Sequence, residues 1–226
     1  MRSTKAQAIH TQLFSVLMST ENRQQELSEF EKLLKEAPDD ILREKSANGF
    51  SLLHDLLHLG GEQYRGDPTK KDQVLRDLFT IFLTRISKNT PLLLDLLTSP
   101  NYDGYTPLHA ALISGQSQRE NFEIYSNLLE SVMTHNSGEY YPEVVATLTQ
   151  ANGAGFTPLH EALLNGQSEN FKIYSNLLES LMTYDSGKYF PKFKGILTQA
   201  NEAGFTPLHD ALINGQRENF KIYFFH

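Results

Sequence analysis

Apolar side chains recur along this chain three and four residues apart, in segments closed by glycine, proline and small polar residues. That spacing predicts helices. The longest segments are apolar on two sides. Within 169–183, Phe171, Tyr174, Leu178 and Leu181 mark one face, while Ile173, Leu177 and Met182 mark another. A helix of this kind is sandwiched between neighbours instead of lying on a single core. Residues 120–134 and 71–86 are read as the equivalent long helices.

A shorter helix precedes each long one. In one copy its apolar residues are Leu159, Ala162 and Leu163, with Thr157 at the N-cap and Pro158 at the first helical position, where a missing N–H costs nothing. Gly60, Gly115, Gly166 and Gly215 stand near the predicted ends of these helices as left-handed stops. A third helix is predicted at 91–98, 142–150 and 191–199, each opened by a proline. Ahead of all these, 5–18, 22–35 (with Leu27, Phe30, Leu33 and Leu34) and 39–45 read as two helices and a short third.

The set of elements repeats. Thr-Pro-Leu-His stands at 106–109, 157–160 and 206–209, with Ser51-Leu52-Leu53-His54 as a divergent copy. The copies begin 55, 51 and 49 residues apart, and each has a glycine two residues before it: Gly49, Gly104, Gly155 and Gly204. Asn-x-x-Gly opens the last three, since Asn can bond its own backbone two residues on and Gly tolerates positive φ. The chain divides into an N-terminal helical cap, 1–45, and units at about 46–100, 101–151, 152–200 and an incomplete 201–226. Repetition of this kind predicts units that stack and bury a shared apolar face.

These residues resemble the ankyrin repeat, whose signature is a Gly-x-Thr-Pro-Leu-His turn and helix start. The resemblance implies an all-α fold: an ankyrin-like α-solenoid of stacked helical repeats, here with an extra short helix per repeat. The family's unit is about 33 residues, so the surplus falls in the lengthened second helix and the added third. Structural roles are implied for Thr106, Pro107, His109, Thr157, Pro158, His160, Thr206, Pro207 and His209, the histidine ring bonding nearby backbone and the threonine hydroxyl. A partner-binding concave face is implied as well. Its turn tips map to Tyr102, Asp103, Tyr105, Gly153, Ala154, Phe156, Glu202, Ala203 and Phe205. Its exposed first-helix sites map to Asp55, His58, Ala110, Ser114, Glu161, Asn165, Asp210 and Asn214.

The function this implies is a protein–protein interaction module whose partner presents a neutral to basic surface. The alternative is the recognition arm of a larger enzyme. Similarity to ankyrin-repeat effectors of intracellular bacteria implies a cytoplasmic setting, delivery into a host cell included.

Composition narrows the partner. The net charge is −7 and no basic run exceeds Lys70-Lys71, which speaks against nucleic acid, because duplex binding needs a Lys/Arg footprint. Without cysteine there is no disulfide framework, Cys-ligated zinc or thiol nucleophile. The apolar stretch at 13–18 is too short for a secretory signal, and 74–86 carries Arg76, Asp77 and Arg85, so no membrane span is expected.

Candidate chemistry is sparse. His54-Asp55-Leu56-Leu57-His58 resembles the zinc-protease pattern His-Glu-x-x-His, yet His54 holds the place of the repeat histidine. His160-Glu161 and His209-Asp210 suggest acid/base dyads, but adjacent helical residues point in different directions. No phosphate-binding glycine loop or Gly-x-Ser-x-Gly elbow occurs. The chain is therefore read as a binding protein and not an enzyme, with no catalytic residue, metal or cofactor.

Tyr140-Tyr141 and Tyr189-Phe190, just before prolines, either anchor a partner or pack the added helix. A 49-residue shift pairs Glu123 with Lys172, Glu139 with Lys188 and Glu143 with Lys192, which predicts complementary charge across one unit boundary. The chain is read as a monomer whose uncapped C-terminal unit offers a face for association.

Overall fold

A computed structural model describes residues 3–19, 21–62, 70–113, 119–134, 139–164, 168–184 and 190–213. The described residues form thirteen α-helices and no strand. Three helices precede the first glycine turn: α1 (Thr4–Met18), α2 (Arg23–Glu36) and α3 (Asp39–Arg43). Then come α4 (Leu52–Glu62), α5 (Lys71–Ile86) and α6 (Thr90–Thr98), followed by α7 (Pro107–Ile113), α8 (Arg119–Thr134) and α9 (Tyr141–Thr149). The pattern recurs with α10 (Pro158–Leu164), α11 (Ser168–Tyr184), α12 (Phe190–Thr198) and α13 (Pro207–Ile213).

Local chemistry explains where several helices begin. Ser3 Oγ accepts from Ala6 N at 3.3 Å and starts α1, while Asn89 Oδ1 accepts from Leu92 N at 3.1 Å and starts α6. The third helices begin one residue earlier than predicted, at Thr90, Tyr141 and Phe190, with the proline second. This is permitted because the first four helical N–H groups have no intrahelical partner, so proline loses nothing there. Most predicted ends shift by one residue and two move further. Helix α4 runs through Gly60 to Glu62, and α3 stops at Arg43, where Glu44 turns to an extended conformation and Lys45 Nζ then reaches Pro100 O at 2.8 Å. Gly115, Gly166 and Gly215 lie outside the described residues.

The helices pack in three rows. First helices α4, α7, α10 and α13 touch in sequence; second helices α2, α5, α8 and α11 do the same; so do the third helices α3, α6, α9 and α12. The two-sided long helices find their predicted role. Phe122, Tyr125, Leu129, Val132 and Met133 of α8 are buried, as are Phe171, Tyr174, Leu177, Leu178 and Leu181 of α11. One cluster of buried apolar side chains extends from Ile9 in α1 to Ala211 in α13. The first three helices are tied on by Arg85, which donates to Leu34 O (3.0 Å), Ala37 O (2.7 Å) and Asp39 Oδ1 (2.7 Å). That guanidinium holds the Asp39 carboxyl below its usual range, chiefly through the hydrogen bond.

Candidate functional site

Each first helix is preceded by a turn that the asparagine builds. Asn101 Oδ1 accepts from Asp103 N at 3.0 Å and Tyr105 N at 2.9 Å. Asn152 and Asn201 each make the same two bonds at 3.0 Å. In the divergent first copy Ser46 Oγ takes the role, accepting from Phe50 N at 3.0 Å. Gly104 sits at φ +82°, and a Cβ there would lie 2.8 Å from Gly153 N, so both conformation and close approach require glycine. The approach is a main-chain ladder between successive turns. Tyr102 N donates to Asn48 O (3.5 Å), Gly153 N to Asp103 O (2.7 Å) and Glu202 N to Ala154 O (3.1 Å).

The repeat histidine locks each turn to its helix and to the next turn. Thr106 N donates to His109 Nδ1 at 3.1 Å, and Thr106 Oγ1 lies 2.8 Å from the same atom. An N–H aimed at Nδ1 means that Nδ1 is unprotonated, so the ring proton sits on Nε2. Nε2 then donates to Phe156 O, 3.1 Å away in the following turn. His54 makes the same contacts to Ser51 N (3.2 Å), Ser51 Oγ (2.7 Å) and Tyr105 O (2.9 Å). His160 bonds Thr157 N (3.1 Å) and reaches Phe205 O (3.1 Å).

Burial pushes His54 and His109 down to about 4, opposed by the carbonyl bond, and lowers His160 in the same way. An aromatic residue meets each ring edge-on: Phe50, Tyr105, Phe156 and Phe205, with centroids 5.6–5.9 Å from the histidine.

The ring contacts to backbone and threonine match what the resemblance implied. The link into the next turn has no counterpart in the sequence reading. Pro107, Pro158 and Pro207 each open their helix as expected. His54 is spent on these bonds and His58 is exposed, so the pair does not converge. No three His, Asp or Glu side chains among the described residues come together as a metal set.

The residues expected to meet a partner divide. Tyr102 is 71% exposed, and Asp103, Gly153, Glu202, Ala203 and His58 are exposed too. Tyr105, Ala154 and Phe156 are half-buried, while Phe205 is exposed. Burial, followed by the Glu161 and Asp103 charges, raises the Tyr105 phenol. Asp55 is partly covered and lies 2.6 Å from His10 Nδ1 of α1. Three expectations are corrected. Ala110, Glu161 and Asp210 are buried, at 5%, 5% and 4% exposure. They follow the pinned histidine on helices packed against their row neighbours, α7 and α10 on two sides and α13 against α10, and for Glu161 the preceding turn with Tyr105 stands close by. Burial raises the Asp210 carboxyl. Ser114, Asn165 and Asn214 lie outside the described residues.

The added helix is held by tyrosines. Tyr125 OH donates to Leu97 O and Tyr174 OH to Leu148 O, both at 2.7 Å, so α8 and α11 each cap the preceding third helix. Tyr141 is buried and its hydroxyl donates to Leu181 O, and Tyr140 packs on the core, so this pair packs the added helix. Tyr189 and the Phe190 side chain lie outside what is described. For two of the three predicted pairs, Glu123 with Lys172 and Glu143 with Lys192, the charges do not bridge units. Lys172 Nζ pairs with Glu169 Oε1 at 2.7 Å inside its own helix, and no ion pair joins the described residues Glu143 and Lys192. Contacts three residues away on one helix need less ordering than a reach across. Lys188 is outside the described residues.

No family model and no curated protein matches this chain. No helix among the described residues is long and apolar enough to cross a membrane.

Proposed function

We propose that this chain is an ankyrin-like α-solenoid with elongated, three-helix units, and that it binds another protein along the row of turns and first helices. The observation that carries the reading is the one-signed character of that row. The stretches 46–58, 101–113, 152–164 and 201–213 hold no Lys or Arg, and of their five carboxylates (Asp55, Asp103, Glu161, Glu202 and Asp210) Asp103 and Glu202 are exposed. The ladder between turns fixes their spacing while Tyr102, Asp103 and Glu202 stay in solvent. A rigid, exposed aromatic flanked by like charges suits a neutral to basic protein surface, with Tyr102 as the anchor. The Asn-turn, the positive-φ glycine and the histidine bonds support the ankyrin-like reading, and the three helix rows support the solenoid. No residue is assigned a catalytic role.

The test is affinity capture from eukaryotic and bacterial lysates, run beside a variant carrying Tyr102→Ala, Asp103→Lys and Glu202→Lys. A partner held by the parent and lost by the variant, with unchanged far-UV circular dichroism, supports the reading. Equal capture by both proteins rejects this face.

A further inference from the structure

We propose that Asn48, at the tip of the first glycine turn, is a site of spontaneous deamidation to aspartate and isoaspartate, and that the fold withholds the same reaction from Asn152. Both residues precede a glycine, as Asn48-Gly49 and Asn152-Gly153. A glycine leaves its own amide nitrogen unhindered for attack on the side chain before it. Asn165-Gly166 and Asn214-Gly215 also occur, outside the described residues. The two described pairs hold different places in the turn. Asn152 is the residue that builds its turn, whereas Asn48 stands two residues after Ser46, where later copies carry Asp103, Ala154 and Ala203.

The reaction needs only the chain and water. Gly49 N, once its proton has passed to hydroxide, attacks Asn48 Cγ and forms a new C–N bond. The Cγ–Nδ2 bond breaks, and the amide nitrogen takes a proton from water and leaves as ammonia. Water then opens the cyclic imide. Rupture of the new bond at Cγ leaves aspartate in the original main chain; rupture of the old main-chain bond leaves isoaspartate, with an extra methylene in the backbone. Either product exchanges a neutral amide for a carboxylate. The attack is intramolecular, so its rate follows how freely the two groups can approach.

Packing decides which asparagine reacts. Asn48 is exposed, and its side-chain amide makes no hydrogen bond among the described residues. Gly49 N donates to Ser46 O at 2.9 Å, and the Asn48 carbonyl receives Tyr102 N at 3.5 Å, the longest rung of the ladder. One ordinary hydrogen bond, that of Gly49 N, opposes the attack. Asn152 is only 6% exposed. Its Oδ1 accepts from Ala154 N and Phe156 N at 3.0 Å, and Gly153 N donates to Asp103 O at 2.7 Å. Turning Asn152 Cγ toward Gly153 N breaks all three bonds and requires hydroxide at a buried site. Two further bonds of ordinary net strength slow the attack by about tenfold or more. The fold thus directs the reaction to the first tip. The new carboxylate stands in register with Asp103 on the next tip, and isoaspartate displaces the carbonyl that Tyr102 N engages. The modification stands independently of whether a partner uses this face.

The experiment incubates the full chain at neutral pH and body temperature, folded in buffer and unfolded in guanidinium chloride, with samples taken over several weeks. Peptide mass spectrometry with fragmentation places the amide-to-acid mass gain on individual residues, and isoaspartyl methyltransferase labelling identifies the isoaspartate. In the folded chain Asn48 should convert about tenfold or more faster than Asn152, giving both isomers. In guanidinium chloride the two rates should agree within about twofold, because glycine follows in both cases. Asn48→Gln, whose longer side chain closes a less favourable ring, should leave position 48 unconverted and the Asn152 rate unchanged. Equal rates in the folded chain, a faster Asn152, a folded chain inert at Asn48 while the unfolded chain converts there, or aspartate as the sole product would each overturn the proposal.

Discussion

Acid should loosen this protein well before its carboxylates titrate. The perturbation is a shift from pH 7 to 4, and the responsive groups are His54 and His109, both fully buried with an N–H aimed at Nδ1. Their folded values are about 4 against an ordinary 6.5. The fold therefore disfavours the proton that the unfolded chain accepts. Stability is fully present above pH 6.5, declines as the unfolded chain protonates, and stops declining once pH passes the folded value near 4. Each histidine contributes a slope of about 1.4 kcal/mol per pH unit within that window, or about 3 kcal/mol in total. Two of them amount to about 6–7 kcal/mol, a large share of the roughly 5–15 kcal/mol that holds a domain folded. His160 acts in the same direction. Asp39 works in a separate window, since its lowered value matters only below pH 3.8. Asp210, raised by burial, slightly opposes the loss above 3.8.

Urea unfolding followed by circular dichroism at constant ionic strength, at half-unit pH steps, reads this slope. His109→Asn supplies the decisive comparison. Its amide oxygen can still accept from Thr106 N, so the variant folds at pH 7 with a modest loss, but it binds no proton. The slope between pH 6 and 4.5 should fall by about 1.4 kcal/mol per unit relative to the parent. A flat parent profile in that window, or an unchanged slope in the variant, would refute the assignment of a neutral Nε2–H ring.

Other outcomes follow from the same geometry. Gly104→Ala should destabilise by about 2 kcal/mol or more, since positive φ and the 2.8 Å approach to Gly153 N both penalise a Cβ; Gly204→Ala, with equal φ but open space, should cost about half as much. Thermal melts of the two variants give the order directly. Tyr174→Phe removes the donor to Leu148 O from a fully buried site and should cost about 1–2 kcal/mol in urea unfolding. Arg85→Met strips two carbonyls and Asp39 of their donor; hydrogen exchange should then accelerate in α1–α3 before it does so in α7–α10.

How far these features can be read in advance depends on which atoms make them. The helices are legible because periodicity reports side chains. Thr-Pro marks the first helices, and the two-sided pattern of 169–183 names a sandwiched one, as Leu177 and Leu178, both buried, bear out. The Nε2 link and the turn ladder are not legible because each ends on a main-chain carbonyl, which every residue carries. Glu161 and Asp210 mislead for another reason. Polarity is a rule about averages, and a carboxylate beside a pinned histidine is buried by its neighbours' geometry. One signal was available and unused: Tyr125 and Tyr174 occupy the same place in successive copies, and a hydroxyl kept on an otherwise apolar face implies a buried acceptor.

The added third helix gains a physical purpose from those tyrosines. A short first helix of seven residues, such as α7 or α10, offers little length over which to fix its neighbour's register. At the two boundaries before α8 and α11, register is set instead at three separated points: a turn N–H at the tip, a histidine ring at the base, and a tyrosine hydroxyl on the last turn of the preceding third helix. Three non-collinear bonds define an orientation, whereas an apolar contact alone permits sliding. The third point exists only because the extra helix ends in open carbonyls there. Before α5, where the preceding third helix is the five-residue α3, the chain carries Leu78 and Phe79 in buried positions and ties the junction with Arg85 instead. Lengthening the unit thus supplies a geometric constraint that a two-helix unit lacks, and a Tyr125→Phe, Tyr174→Phe double variant should lose cooperativity of unfolding along with stability.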